Sequence, residues 1–149
     1  MTITEVRCHR LEVPLHTPFV TALRRTTTLT TTVVELVDAD GVRGFGEAPQ
    51  VWRVTGESLD GAAACLSGPL ADLVRGRNPD DLVPLLQQVG DAVVGNLGAK
   101  AAMDVALHDL AARRAGMSLP RFLGTSTHRV PTDVTVSAGE VSALAATAQ

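Results

Sequence analysis

Two arginines and a tryptophan lie where the sequence predicts connections between regular elements. Arg24 belongs to the proline-containing stretch HTPFVTALRRTT, and Trp52 and Arg53 belong to GFGEAPQVWRVTGES. An arginine on a loop can bind a substrate carboxylate through two parallel N–H bonds, although a solvated loop arginine is the competing interpretation. Trp52 either covers a small core or lines a pocket shared with another domain.

The acidic and imidazole side chains indicate structural roles. Glu47 ends the segment GFGEA, and without a visible partner we expect it to hydrogen-bond backbone or a neighbouring domain rather than to act as a base. Asp104 and Asp109 are five residues apart on a predicted helix, so they face different directions and do not share a metal. The histidines lack the spacing of metal ligands: His9, His16, His108 and His128.

Lysine usage restricts the chemistry that this segment can perform. Lys100 is the single lysine, and arginine is a poor proton acceptor. A mechanism that needs a pair of lysine bases therefore cannot be housed here. Thr135 or Ser137 would present a hydroxyl to a ligand if the late strand belongs to an α/β barrel; ordinary strand composition is the alternative.

The composition is that of a soluble globular protein. The 149 residues are 45% hydrophobic and 19% charged, with a formal net charge of -3. Scattered basic residues argue against nucleic acid, and no apolar run approaches the roughly 20 residues of a membrane span. The N-terminus has no apolar signal region, and Cys8 and Cys65 are expected to be reduced thiols in a cytoplasmic protein.

The first part of the chain predicts three strands. We expect strands over 3–15, 28–38 and 42–48, with a bulge between Cys8 and Leu11 where the apolar alternation slips. The segment 16–27 loses the alternation and is predicted to be a long loop. Asp38-Ala39-Asp40-Gly41 is a turn signal between the last two strands, and the three strands together predict an antiparallel unit.

The region after Pro49 is predicted to be helical. Thr55 is the expected cap of a first helix that Gly68-Pro69 ends, and Glu57 is expected to favour the positive end of the dipole of that helix. A second helix begins at Asp81. The strongest helix, 98–115, carries a stripe of alanines that predicts close packing on a sheet or on sister helices. The remaining predictions are a short turn of helix over 119–123, a strand over 130–137 and a helical start over 140–149.

The order of these elements resembles the enolase superfamily. GFGEAP and AKAAMDVALHDLAARRAGMSLPRFLG are similar to the N-terminal capping domain of its mandelate racemase and muconate-lactonizing type. The fold expected is α+β, with a capping domain over 1–125 and the first strand and partial helix of a truncated (β/α) barrel over 126–149. PFVTALR, VTGES and TDVTVS further resemble dipeptide epimerases of the Ala-Glu type.

The resemblance implies roles for five side chains. Arg24 matches the loop arginine that meets the acidic side chain of the substrate, and Thr135 matches a strand hydroxyl near it. Phe19, Trp52 and Val54 match positions on two capping loops that shape the specificity pocket. The three acids that hold Mg²⁺ and the two lysines that exchange the α-proton belong to the barrel, so no catalytic residue or metal ligand is expected in this segment.

The function expected from the resemblance is that of a Mg²⁺-dependent isomerase. The parent would be a homo-oligomeric dipeptide epimerase, with a dipeptide as its substrate and its own C-terminal barrel as partner, and this segment alone would be inactive. Muconate cycloisomerase, o-succinylbenzoate synthase and N-acylamino acid racemase remain alternatives within the superfamily. A non-catalytic binding or oligomerisation module is the alternative of a different class.

Overall fold

A three-stranded antiparallel sheet forms the first part of the molecule. The computed structural model describes residues 1–22, 24–49, 52–126, 129–133 and 135–147. The strands β1 (Ile3–Val20), β2 (Arg25–Asp38) and β3 (Arg43–Pro49) are neighbours in chain order. The predicted turn between β2 and β3 is confirmed: Asp38 accepts hydrogen bonds from the N–H groups of Asp40 and Val42, both at 2.9 Å, and Gly41 has a φ of 78°.

The hairpin of β1 and β2 is longer than predicted. The loop expected over 16–27 is wrong, because Phe19 and Val20 still pair with Thr26 and Arg25. β1 lies at the edge of the sheet, where Pro14 costs no ladder hydrogen bond on the open side. A register shift between Pro14 and Phe19 lets pairing resume after the prolines.

The predicted bulge is also misplaced. Between Cys8 and Leu11 the pairing with β2 is continuous, and the second register shift lies between Ile3 and Glu5. The slip in the apolar alternation has another cause: residues 9–14 of β1 are all exposed, so burial does not enforce a period of two there.

Seven described helices follow the sheet. They are α1 (Trp52–Thr55), α2 (Leu59–Ser67), α3 (Pro69–Val74), α4 (Leu82–Asp91), α5 (Leu97–Arg114), α6 (Leu119–Phe122) and α7 (Val141–Thr147). Gly68-Pro69 ends α2 as predicted, with Gly68 as its C-terminal cap, and Pro69 begins α3 directly, since a first-turn proline lacks only an N–H that would have no helical partner. Among the described residues, no helix is long and apolar enough to cross a membrane.

The alanine stripe of α5 packs directly on β3, which confirms the predicted close contact. A Cβ atom at Gly46 would lie 1.9 Å from the carbonyl oxygen of Ala102, and one at Gly44 would lie 2.4 Å from that of Ala106. Only glycine therefore permits this approach of helix to strand. The G-F-G spacing places both glycines on the inner face of the sheet, because alternate residues of a strand share a face.

The core lies between this inner face and the helices. Its largest fully buried apolar side chains are Ile3, Val34, Leu36, Leu66, Leu70, Val74, Leu85, Met103, Leu107 and Leu110. They come from β1, β2 and helices α2 to α5, so a single cluster joins the sheet to the helical layer. The part of the β1–β2 hairpin that extends past β3 contributes no residue to this cluster.

An ion-pair cluster lies beside the core at the C-terminal end of α5. The guanidinium of Arg114, at the end of α5, bonds Asp38 of β2 and lies 3.1 Å from Asp80. Burial alone would raise the pKa of Asp38, but Arg114 and the backbone N–H groups of the turn hold that pKa below its usual value. The cluster thus connects the sheet, α5 and the segment before α4 through charge-assisted hydrogen bonds.

The strand predicted over 130–137 is not formed in the described part of that segment. The segment contacts β1 at single points: the Ser137 hydroxyl accepts from the N–H of Val20 at 2.7 Å, and Ala138 N–H donates to Val20 O at 2.9 Å. A strand requires a neighbour with which it can form a ladder, and β1 ends there. Val134 lies outside the described residues, and the helix predicted after it is present as α7.

Candidate functional site

Two clefts lie beside the part of the β1–β2 hairpin that extends past β3. β3 pairs with β2 only from Thr31 to Val37, so the preceding residues of β2 form a two-stranded ribbon with β1. The tip is closed by a turn in which Thr21 N–H donates to Arg24 O at 2.9 Å and Arg24 N–H donates to the Thr21 hydroxyl at 3.2 Å. The ribbon therefore holds its polar tip away from the core.

The first, which we call the arginine cleft, lies between β2 and α1 and has a volume of about 310 Å³. It is lined by Arg24, Thr26, Thr28, Leu29, Thr30, Trp52 and Arg53. Two of the side chains singled out from the sequence, Arg24 and Trp52, thus lie at one cleft. The lining is cationic and hydroxyl-bearing, a composition suited to an anionic group.

The second, which we call the apolar cleft, lies between the hairpin tip and the C-terminal segment and has a volume of about 640 Å³. Its lining residues are Phe19, Val20, Thr21, Thr135, Val136, Ala138, Val141, Leu144 and Ala145. Phe19 and Thr135, which the sequence analysis also selected, meet here. Val54 lines neither cleft and is 79% exposed on α1.

The position of α1 is fixed by residues that follow it. Gly56, with a φ of 75°, donates its N–H to Trp52 O at 3.1 Å and ends the helix. Ser58, not Thr55 as predicted, caps α2, and its hydroxyl accepts from Gly61 N–H at 2.9 Å. The reason is that the chain between α1 and α2 makes a turn of its own, which moves the start of α2 three residues on.

Glu57 joins this turn to α5. Its carboxylate accepts a hydrogen bond from the N–H of Gly98 at 2.9 Å, so it caps the first turn of α5 instead of assisting α2 as its position in the sequence suggested. Asn96, which precedes α5, has a φ of 53° and makes no side-chain cap. The distant Glu57 supplies that acceptor and ties the wall of the arginine cleft to the most buried helix.

Ser137 fastens the wall of the apolar cleft in a similar way. Its hydroxyl accepts from Val20 N–H and lies 3.4 Å from the carbonyl oxygens of Pro18 and Val20. The hydroxyl is therefore occupied by the backbone at the end of β1. Thr135, in contrast, is exposed at the cleft and is the hydroxyl of the pair that faces open space.

A second ionic network lies on the face of the sheet opposite α5. Glu35, only 1% exposed, bonds Arg43 of β3, and its carboxylate lies 2.8 Å from His9 Nε2 and 3.8 Å from Arg7 Nη1. Burial would raise its pKa, but Arg43, His9 and Arg7 together hold the pKa below its usual value. These residues line neither cleft, so the network stabilises the sheet and takes no part in the candidate site.

The remaining polar residues singled out from the sequence have structural partners. Asp104 lies 3.0 Å from His108, whereas Asp109 accepts from Phe45 N–H at 3.0 Å and pairs with Arg113, which confirms their separate structural roles. Glu47 is exposed on β3, and its contact with another domain stays a prediction.

The cysteines and the acids form no reactive or metal-binding group. Cys8 and Cys65 are free, as expected, and burial raises the pKa of each thiol, which disfavours the reactive thiolate. Among the residues that the structure describes, no three His, Cys, Asp or Glu side chains converge on a point where a metal ion would bind. The described part of the chain therefore does not fit a Mg²⁺ ion, and no step through one is derived from it.

The fold and the clefts define a class of domain. A three-stranded antiparallel meander backed by a helical layer is the capping architecture of the enolase superfamily. The chain belongs to the family described as mandelate racemase / muconate lactonizing enzyme, N-terminal domain, whose model matches residues 3–124.

Several relatives of named activity are dipeptide epimerases. The L-Ala-D/L-Glu epimerase of Francisella tularensis subsp. novicida is 34% identical over 140 residues, which are 94% of this chain and 39% of that protein. The substrate-liganded L-Ala-D/L-Glu epimerase structure from Bacillus subtilis is 33% identical with a TM-score of 0.92, covering 99% of this chain and 41% of that one.

A third comparison shows a different substrate on the same fold. The dipeptide epimerase of Methylococcus capsulatus, solved with Mg and L-Arg-D-Lys, has 32% identity and a TM-score of 0.90, with 99% of this chain and 42% of that one covered. The chain thus spans about two fifths of the length of the relatives that it matches.

Proposed function

We propose that this chain is the substrate-capping part of a Mg²⁺-dependent dipeptide epimerase that acts on an acidic dipeptide. The arrangement of Arg24 beside Trp52 in the arginine cleft carries the proposal. An epimerase for cationic dipeptides would need carboxylates at its recognition surface, whereas this cleft presents guanidinium groups. The named activities of the relatives in Francisella and Bacillus supply the reaction class.

The roles of the chain's own residues follow from their places in the two clefts. Arg24 binds the carboxylate of the substrate side chain, and Trp52 on α1 covers it. Val54 lines neither cleft, so its proposed role in shaping the pocket rests on the resemblance alone. Phe19 and Thr135 bound the space next to the hairpin tip, with Thr135 offering a hydroxyl to the dipeptide. Closing the hairpin and α1 over the substrate excludes water from the reacting centre.

The proton exchange itself is assigned to the rest of the protein. We propose that residues 1–125 form the capping domain and that residues 126–149 begin a (β/α) barrel that supplies the metal ligands and the lysine bases. A single lysine, Lys100, in this chain and the coverage of about two fifths of each relative support that division. Lys100 itself is engaged with Gly90 O at 2.7 Å.

The proposal also includes the location and the oligomeric state of the protein. We propose a cytoplasmic enzyme, which is supported by the two free, partly or fully buried thiols. We also propose a homo-oligomer, in keeping with the exposed apolar side chains at the hairpin, including Leu11, Val13 and Leu29.

The test is proton exchange by the intact protein. We expect the protein, incubated with Mg²⁺ and L-Ala-L-Glu in deuterated water, to lose the glutamyl α-proton signal in the NMR spectrum and to leave cis,cis-muconate unchanged. Exchange should stop on chelation of the metal. Turnover of muconate without dipeptide exchange would place the protein with the cycloisomerases and contradict the proposal.

A further inference from the structure

Two positive charges from separate segments line the arginine cleft. Arg24 comes from the hairpin tip and Arg53 from α1, and both are exposed there. Resting on the function proposed above, we infer that Arg53 is a second carboxylate-binding residue, so that an acidic substrate side chain is held between two guanidinium groups. Arg53 is thereby a determinant of specificity in its own right.

Arg24 and Arg53 are the arginines of the described residues that line this cleft, and neither forms an ion pair there, a lack that they share with Arg25, Arg77, Arg121 and Arg129. Arginines that form ion pairs with carboxylates elsewhere in the described chain are Arg7, Arg10, Arg43, Arg75, Arg113 and Arg114. Arg24 and Arg53 have no carboxylate partner among the described residues, and no acidic side chain lines their cleft. Like charges that share a concave site without a counter-ion create a field that attracts an anion.

The rest of the lining is suited to the carboxylate and the short chain that carries it. Thr26, Thr28 and Thr30 alternate along β2, so their side chains emerge on one face of the strand and offer hydroxyl donors. Trp52 supplies an apolar surface for methylene groups. The volume of about 310 Å³ is at the small end for ligand sites, which fits a side chain rather than a whole dipeptide.

The first test compares a charged with a neutral side chain of the same shape. In the intact enzyme, Arg53→Ala should lower kcat/KM for L-Ala-L-Glu by roughly tenfold or more through KM, with kcat and the values for L-Ala-L-Gln little changed. Arg53→Lys should recover part of the loss. The double variant Arg24→Ala, Arg53→Ala should show no preference for L-Ala-L-Glu over L-Ala-L-Gln.

Arg25→Ala is the matched control, because Arg25 is a neighbouring exposed arginine that lines neither cleft. We expect it to keep the wild-type preference. An Arg53→Ala enzyme that retains this preference, or that loses activity equally on both dipeptides, would overturn the inference.

A binding experiment separates this inference from the proposed reaction. Trp52 lines the cleft and is the single tryptophan of the sequence, so its fluorescence reports occupancy without turnover. Titration of the intact protein with glutarate should change that signal, with Kd roughly tenfold weaker in Arg53→Ala, and Trp52→Phe should remove the response. Equal Kd values would overturn the role of Arg53, whereas binding without α-proton exchange would refute only the proposed reaction.

Discussion

Arg24 gives the sharpest prediction at the scale of single residues. Arg24→Ala in the intact protein should raise KM for acidic dipeptides roughly tenfold or more, because a charge-assisted hydrogen bond to the substrate is lost, and should leave neutral dipeptides almost unaffected. Steady-state rates of α-proton exchange measure both. Equal increases for acidic and neutral substrates would remove the assigned role, and Arg25→Ala serves as the control.

The buried carboxylate of Asp38 makes stability depend on pH. Its pKa in the folded protein lies below the unfolded value of about 3.9, so its contribution to the free energy of unfolding is complete above about pH 5. That contribution is lost as the pH falls through the folded-state pKa. Asp38→Asn leaves Arg114 buried with one partner fewer and should cost about 3 kcal/mol in chemical denaturation at neutral pH.

Asp40→Asn is the matched control for that substitution. Asp40 is 48% exposed and 3.8 Å from the same guanidinium, so its removal should change the free energy of unfolding by less than about 0.5 kcal/mol. A loss of similar size in both variants would show that the position of Asp38 inside the core has no special effect.

At the scale of elements, the contact between β3 and α5 leaves no room for a side chain at Gly44 or Gly46. Gly46→Ala places a methyl group 1.9 Å from a helix carbonyl oxygen, so it should destabilise the fold by roughly 3 kcal/mol or unfold it. Gly90→Ala near the end of α4 has no atom within 4 Å and should be neutral or stabilising by up to about 1 kcal/mol. Thermal unfolding of the pair tests the contact, and equal midpoints would contradict it.

The link between Glu57 and α5 sets the rigidity of the turn after α1. Glu57→Ala removes the acceptor for Gly98 N–H and should cost about 1 kcal/mol, with faster hydrogen exchange at the start of α5. Glu57→Gln keeps an acceptor oxygen and should retain most of the protection. If hydrogen exchange at Gly98 is equally fast in the wild type and in Glu57→Ala, the hydrogen bond to Glu57 does not stabilise the start of α5.

The elements that the sequence predicted well are those whose pattern reflects local packing. The alternating glycines in GFG and the alanine stripe of α5 each require a close neighbour, and the structure places them against each other. The ends of β1 and β2 were missed because they depend on cross-strand pairing at Phe19 and Val20, which the loss of apolar alternation concealed.

The candidate site shows the same division between local and distant information. Residue type was enough to select Arg24 and Trp52, and the resemblance supplied Phe19, Thr135 and Val54. The grouping into two clefts was not foreseen, because it depends on the projection of the hairpin beyond β3. The cap that Glu57 provides spans 41 residues, and the acid in VTGES gave only the signal of a helix start.

At the scale of the whole molecule, the apolar cleft predicts how residues 1–149 behave when produced alone. Val136 and Val141 remain 38% and 80% exposed beside Phe19, a surface that association would cover. We expect this segment to self-associate in sedimentation experiments and Val141→Glu to reduce that tendency. Val94→Glu, at a site that is 99% exposed and lines neither cleft, should not reduce it. A well-behaved wild-type monomer would favour an independent binding module.

Because the β1–β2 hairpin projects past β3, the residues proposed for ligand binding are separate from the residues that stabilise the fold. The side chains that we propose bind the substrate, such as Arg24 and Thr28, lie outside the hydrophobic cluster that stabilises the fold. Substitutions of these side chains should therefore change the stability of the fold little. Ligand preference can then change in evolution while the contact of Gly44 and Gly46 with α5 is kept.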